Sequence, residues 1–178
     1  MVDEARVIEM ATEGDSRAFE TLLETYEKPV FNAAYRILAD YEDAADVTQT
    51  VFLKVHQKLG SYKPEHKFFS WIYRIAVNEA ISMVRRRRRE SPIDDAVLAR
   101  QGGSVDHLAR IASDELIQGA LRAIKVDYRV VVVLKYFLEM SYKEIGDIVG
   151  IPEKTVKSRL FTGRELLRQA LVQRGYAR

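Results

Sequence analysis

A chain of 178 residues, 47% hydrophobic and 30% charged, can bury a core in one or two domains and has the composition of an ordinary globular protein. With no cysteine there is no disulfide, no thiolate catalysis and no Cys-ligated zinc, and His56, His66 and His107 stand without a second ligand at helical spacing, so no metal and no cofactor is expected. The net charge of +2 hides a polarity: residues 1–56 carry 12 acidic and 5 basic side chains, residues 57–89 carry 2 and 9, and residues 113–178 carry 8 and 12, an arrangement that asks for one basic partner and one polyanion.

In chain order the signals are all helical. Asp15 or Ser16 caps a pattern of Phe19, Leu22, Leu23 and Tyr26 that is expected to stop before Pro29, where a second helix through Val30, Ala34, Ile37 and Leu38 can begin. Asp40 caps a third helix, expected to end at Leu59 with Gly60 as a left-handed terminator. Its core stripe is Ala44, Thr48, Val51, Phe52, Val55 and Leu59. Opposite lie Asp43, Asp46, Gln49 and Thr50, with Leu53 beside them and Val47 at the margin. An acidic face edged with aliphatic residues fits a protein partner that brings Lys or Arg around an apolar contact; a plain solvated face is the alternative.

A loop containing Tyr62, Lys63 and Pro64 leads into Phe68 to Arg89. One side of that helix, Phe68, Phe69, Ile72, Ile75, Ala76, Ala80 and Met83, is apolar apart from Glu79. The other presents Trp71, Arg74, Asn78, Ser82 and Arg85 at i, i+3, i+4 spacing. Arginine holds phosphates, asparagine bonds a base edge, and tryptophan stacks on an unpaired base. A solvated face with Trp71 packed inward is the competing reading. The run Arg85 to Arg89, which includes Arg86, weighs toward a polyanion because five like charges repel one another. Residues 90–112, with one proline and Gly102-Gly103-Ser104, read as a flexible linker dividing domains 1–89 and 113–178.

The second domain opens with Leu116, Ala120, Leu121 and Ile124. The valine run Val130 to Val133 favours a strand by propensity, but no partner strand is visible and a helix is expected. Ser141-Tyr142-Lys143-Glu144 is a capping box, Gly150-Ile151-Pro152 a turn, and Val156, Leu160, Leu167 and Leu171 the inner stripe of a last helix. Near its start, Lys154, Thr155, Lys157, Ser158 and Arg159 form a polar set suited to the major groove. This is a helix-turn-helix pattern within an all-α chain.

Three stretches together resemble the extracytoplasmic-function group of the bacterial sigma-70 family. They are Asp43-Ala44-Ala45-Asp46-Val47-Thr48-Gln49-Thr50-Val51-Phe52-Leu53-Lys54, Phe69-Ser70-Trp71-Ile72-Tyr73-Arg74-Ile75-Ala76-Val77-Asn78, and Gly150-Ile151-Pro152 through Thr155-Val156-Lys157-Ser158-Arg159-Leu160. The resemblance implies that the acidic helix docks core RNA polymerase on its beta-prime subunit. It implies that the loop and basic helix capture a flipped base and melt the minus-10 element, holding single-stranded DNA. It further implies that the last helix reads the duplex minus-35 element and that an anti-sigma factor is a partner. Tyr62 and Asn78 fall at minus-10 contact positions, Lys157 and Ser158 at minus-35 ones. Where the family often has Arg-Ala-Arg this chain has Thr162-Gly163-Arg164, so one cation is missing and Gly163 either bends the helix or admits a close backbone. The expected protein is a cytoplasmic initiation factor, without membrane insertion and not an enzyme. A helix-turn-helix regulator that binds duplex without melting it is the runner-up, and it leaves the Trp71 strip unexplained. A helical hydrolase lacks any catalytic constellation.

Overall fold

A computed structural model describes residues 3–90 and 108–176, and every described element is helical. The order is α1 (Glu4–Thr12), α2 (Ser16–Leu38), α3 (Tyr41–Lys58), a 3-10 turn (Leu59–Ser61), α4 (Phe68–Glu90), α5 (Leu108–Ala123), α6 (Val126–Tyr136), α7 (Tyr142–Val149) and α8 (Glu153–Gln173). Helices α1 to α4 form one cluster and α5 to α8 a second. The clusters pack on each other, α2 against α5 and α6, α4 against α6 and α7. Of the segment expected to be a linker, residues 91–107 lie outside the described residues, while α5 already starts at Leu108.

Helix α2 corrects the expected break at Pro29. Ala18, Leu22, Tyr26, Val30, Ala33, Ala34 and Ile37 are all buried and continue one stripe across the proline. Proline inside a helix costs about 3 kcal/mol; burying apolar side chains on both sides of it, at about 1.5–3 kcal/mol each, outweighs that. Asp15 caps the start, its Oδ1 accepting from the Arg17 and Ala18 amides at 2.8 and 3.1 Å. Gly60 is not the expected left-handed terminator, for the chain closes α3 in a 3-10 turn there. The left-handed residue is Ala39 at the end of α2, with φ of 58°. Helix α1, whose Val7, Ile8 and Ala11 are buried, was not expected from the sequence.

The valine run is helical, as its context required. Val130 to Val133 are fully buried in α6, which packs on α8 and α7 within the second cluster and on α2 and α4 of the first. A helix whose middle is buried around its whole circumference has no use for an amphipathic period there, so propensity was the weaker guide. The capping box of α7 is present: Glu144 N donates to Ser141 Oγ at 3.2 Å and Ser141 N to Glu144 Oε2 at 2.9 Å. Gly150 ends α7 at φ of 73°. Two further glycines permit close approach. A Cβ on Gly146 would meet the Ile151 carbonyl oxygen at 2.8 Å in the turn, and one on Gly163 would meet a Val132 methyl at 2.9 Å. Gly163 therefore serves α8–α6 packing, where the expected close backbone is the Tyr128 carbonyl oxygen at 3.4 Å and the tightest neighbour is the Val132 side chain.

Candidate nucleic-acid and protein interfaces

The acidic face of α3 is narrower than its sequence suggests. Asp46 and Gln49 are exposed, Leu53 is 59% exposed and Thr50 is half-buried. Asp43 and Val47, expected on or beside that face, are 8% and 2% exposed. The reason is that α3 packs against both α2 and α4, which widens its buried arc. Asp43 meets Arg87 of α4, Nη2 to Oδ1 2.6 Å. Burial raises its pKa more than the Arg87 guanidinium lowers it. What the sequence did not reveal is the groove beside Asp46. Phe19, Leu23, Phe31 and Phe52 from α2 and α3, with Leu53 and His56, line a cleft of about 920 Å³. Phe19 and Leu23 carry a core-like spacing, and only their partial exposure betrays the second role. An apolar cleft rimmed by Asp46, Gln49 and Glu27 can seat an apolar side chain while carboxylates hold neighbouring cations.

On α4 the expected strip is largely open. Arg74, Asn78, Ser82, Arg85 and Arg86 are exposed, and α7 packs without covering them. Trp71 is only half-exposed. Its ring sits 5.5 Å from Phe68 and 5.6 Å from Tyr62, so the inward-packed reading is correct for part of its surface. Tyr62 is likewise half-buried, edge-on to Phe68 at 5.2 Å, and its hydroxyl donates to the His66 carbonyl at 2.5 Å. The aromatic pair thus braces the loop that carries exposed Lys63. Between this loop and α1 runs a second cleft of about 920 Å³, lined by Glu4, Ile8, His66, Lys67 and Phe69 among others. Glu79, the one charge on the apolar side, pairs with Lys54 of α3 at 2.5 Å. Tyr73 and Val77, absent from the expected stripe, are fully buried because α4 is covered on a second flank.

At the start of α8, Lys154, Lys157 and Ser158 are exposed, as is Arg164 one to two turns further on. Thr155 and Arg159 are half-buried, and Arg159 lies 4.0 Å from Asp127 of α6, so these two border the open face instead of carrying it. A residue that sequence reasoning missed stands at its centre. Phe161 is 69% exposed, and at 100° per residue it projects between Lys157 and Ser158. An exposed phenyl ring within a cationic helix face was the available signal. Lys157 and Lys135 also approach the ring of Tyr142, Nζ to centroid 5.6 and 5.1 Å, tying the start of α7 to the same face. Among the described residues no cluster of His, Asp and Glu could hold a metal ion, and no helix is long and apolar enough to cross a membrane.

Comparison with known proteins agrees with this geometry. The family model of sigma-70 region 2 matches residues 22–90 and that of sigma-70 region 4 matches residues 114–167. The chain is 31% identical to the ECF RNA polymerase sigma factor SigW of Bacillus subtilis over 92% of its length and 94% of that protein. It is 32% identical to the ECF RNA polymerase sigma-E factor of Escherichia coli over 90% of both chains. Among solved structures, CnrH in complex with the cytosolic domain of CnrY superposes with a TM-score of 0.70 at 28% identity, over 97% of this chain and 99% of that one. The two family models, matched in order on the two helical clusters, and relatives more than 30% identical over nine-tenths or more of their length establish that the chain belongs to the ECF group of the sigma-70 family of RNA polymerase sigma factors.

Proposed function

We propose that this sigma factor docks on the beta-prime subunit of core RNA polymerase through α3, opens and holds the minus-10 element with α4, and binds the minus-35 duplex with α8. The observation that carries the reading is the pair of open cationic faces on separate helices. Arg74, Asn78, Ser82 and Arg85 form one, and Lys154, Lys157, Ser158 and Arg164 the other. Phosphate contacts from arginine and lysine position DNA; Asn78 and Ser158 supply donors and acceptors that discriminate bases. The cleft between α1 and the Tyr62 loop, about 920 Å³, has volume enough for a nucleobase, and Phe68 and Phe69 at the start of α4 help to line it. Seating an unstacked base there offsets a few kcal/mol of unpairing, so melting is driven by binding.

In this reading Asp46, Gln49 and Leu53 make the polymerase contact, with the Phe19–Phe31 cleft taking an apolar side chain of the partner. Asp43 and Val47 support that helix from beneath. The protein acts in the cytoplasm, where polymerase is, and an anti-sigma factor is a further partner; CnrH, similar over nearly the whole chain, was solved bound to the cytosolic domain of CnrY. The test is transcription from a cognate promoter by purified core polymerase with this protein alone, and permanganate reactivity of unpaired thymines reports melting. Wild-type bubble formation by an Arg74→Ala, Asn78→Ala double variant would reduce α4 to a duplex clamp and favour a regulator that does not melt DNA.

A further inference from the structure

Helix α1 lies ahead of residues 22–90, the stretch matched to sigma-70 region 2, and it walls one side of the cleft beside the Tyr62 loop. The apolar part of the lining is Ile8 of α1, Phe68 and Phe69 of α4, and the half-buried Tyr62. The charges around it do not balance. Asp3, Glu4, Glu9, Glu13 and Glu65 stand against Arg6, His66 and Lys67, and Lys67 already pairs with Glu144 at 2.7 Å. Asp3 is engaged in capping α1, its Oδ1 accepting from the Ala5 amide at 3.2 Å. Glu4 is the carboxylate tied to another helix, for the Tyr26 hydroxyl of α2 donates to its Oε1. Burial of Tyr26, helped by that carboxylate, raises the phenol pKa well above its ordinary value, so the hydroxyl stays a donor. Burial first and the Glu4 charge second raise the pKa of Tyr62 as well, so Glu4 lies close to the loop tyrosine too. One oxygen of Glu4 is thereby fixed, and Oε2 has no hydrogen-bond partner among the described residues.

A nucleotide is anionic at its phosphate and neutral at its base. A cleft whose charge is mostly carboxylate leaves the phosphate to exposed cations such as Lys63 and Arg74, while the base can enter. An unpaired base in a pocket is read along its pairing edge. A carboxylate there accepts from an exocyclic amine and repels a carbonyl oxygen. Cytosine and adenine carry an amine at that place on the edge, thymine and guanine a carbonyl. We propose that Glu4 is a specificity-determining residue of the minus-10 site: its Oε2 accepts a hydrogen bond from the exocyclic amine of one unpaired cytosine or adenine and disfavours thymine and guanine. The inference rests on the base-seating reading above and adds which bases are seated.

The test uses the full chain with core polymerase and fork DNA from a cognate promoter, its minus-10 non-template strand left single-stranded. Each position of that strand is varied in turn among the four bases, and cytosine and adenine are also replaced by pyrimidinone and purine, which lack the amine. At one position the wild type should lose about tenfold in affinity when the amine goes. Whether cytosine or adenine binds more tightly there identifies the base. Glu4→Gln keeps an oxygen for the Tyr26 hydroxyl and puts an amide donor in place of Oε2, so helicity and Tm should hold. In that variant the loss should shrink below about threefold, and thymine should gain at the same position. Removal of charge alone would instead shift all bases and the neighbouring positions alike. A rank order unchanged in Glu4→Gln, or changed equally at every position, overturns the inference. So does a wild type that prefers some bases yet nowhere responds to loss of the amine. A wild type with no base preference at any single-stranded position sinks the base-seating reading itself, and the inference with it.

Discussion

Arg87 in the basic run of α4 reaches back to Asp43 in the first turn of α3, Nη2 to Oδ1 2.6 Å, with the Asp43 side chain 11% exposed and that of Arg87 42%. Part of the arginine run is therefore structural. Arg87→Ala leaves a buried carboxylate without its cation. Discounted for the exposure of Arg87, the loss is about 1–2 kcal/mol, or about 2–6 °C in Tm. Since burial already raises the Asp43 pKa, the deficit should shrink as acid neutralises that carboxylate, and Asp43→Asn should recover part of it at neutral pH. Urea denaturation of the two single variants and the double variant measures the coupling.

Asp46 is the carboxylate of α3 that stays open beside the apolar cleft. Asp46→Arg should weaken binding to core polymerase about tenfold or more while leaving thermal stability within about 0.5 kcal/mol, as exposed substitutions do. Titration of labelled core polymerase against wild type and variant decides it. Equal affinities would remove this face from the interface.

Phe161 offers an apolar surface where Lys157, Ser158 and Arg164 offer polar ones. In a major groove the chemical match for a phenyl ring is the thymine methyl group. Phe161→Ala should cost about 1 kcal/mol on a minus-35 duplex. Replacing thymine by uracil should erase the difference if the methyl is what the ring touches. Lys157→Ala should instead lower the salt dependence of binding by about one counterion.

The hydroxyl of Tyr73 is buried without a hydrogen-bond partner among the described residues, and burial pushes its pKa up to about 12. Tyr73→Phe removes an unsatisfied polar group and should stabilise the protein by about 1 kcal/mol, read as a rise of about 2–4 °C in Tm. A fall would mean that the hydroxyl has a partner in solution.

Lys67, followed by the Ser141 amide and hydroxyl, holds Glu144 at a pKa of about 2, down from 4.5. A depressed carboxylate stabilises fully above its unfolded value and loses that contribution as pH falls through the folded one. The contact between the Tyr62 loop and α7 should therefore be intact at pH 5 and weaken between about 4.5 and 2. NMR titration of the Glu144 carboxyl carbon checks this, and Lys67→Ala should return the midpoint toward 4.5.

Much of this was legible in the sequence because helix patterns are local. The capping box at Ser141, the turn at Gly150 and the exposed run of Arg74, Asn78, Ser82 and Arg85 all follow from spacing alone. What escaped depends on neighbours far along the chain. Asp43 reads as surface until Arg87 arrives from 44 residues away. Pro29 reads as a break until the stripe is seen to be buried on both sides of it. Tyr73 and Val77 are core because α4 packs against α2, α3, α6 and α7 together, and no periodicity in α4 announces so wide a buried arc.

The fit of Gly163 against Val132 and Tyr128 seats α8 on α6 with no room for a methyl group. The axis of α8 is thus set from behind, by its contacts with α6. Lys154, Lys157, Ser158, Phe161 and Arg164 stand on the opposite side and share no packing with that seat. The helix behaves as an exchangeable print head on a fixed carriage. On the proposed reading, new promoter preferences can be written into those five positions without retuning the fold that aims them.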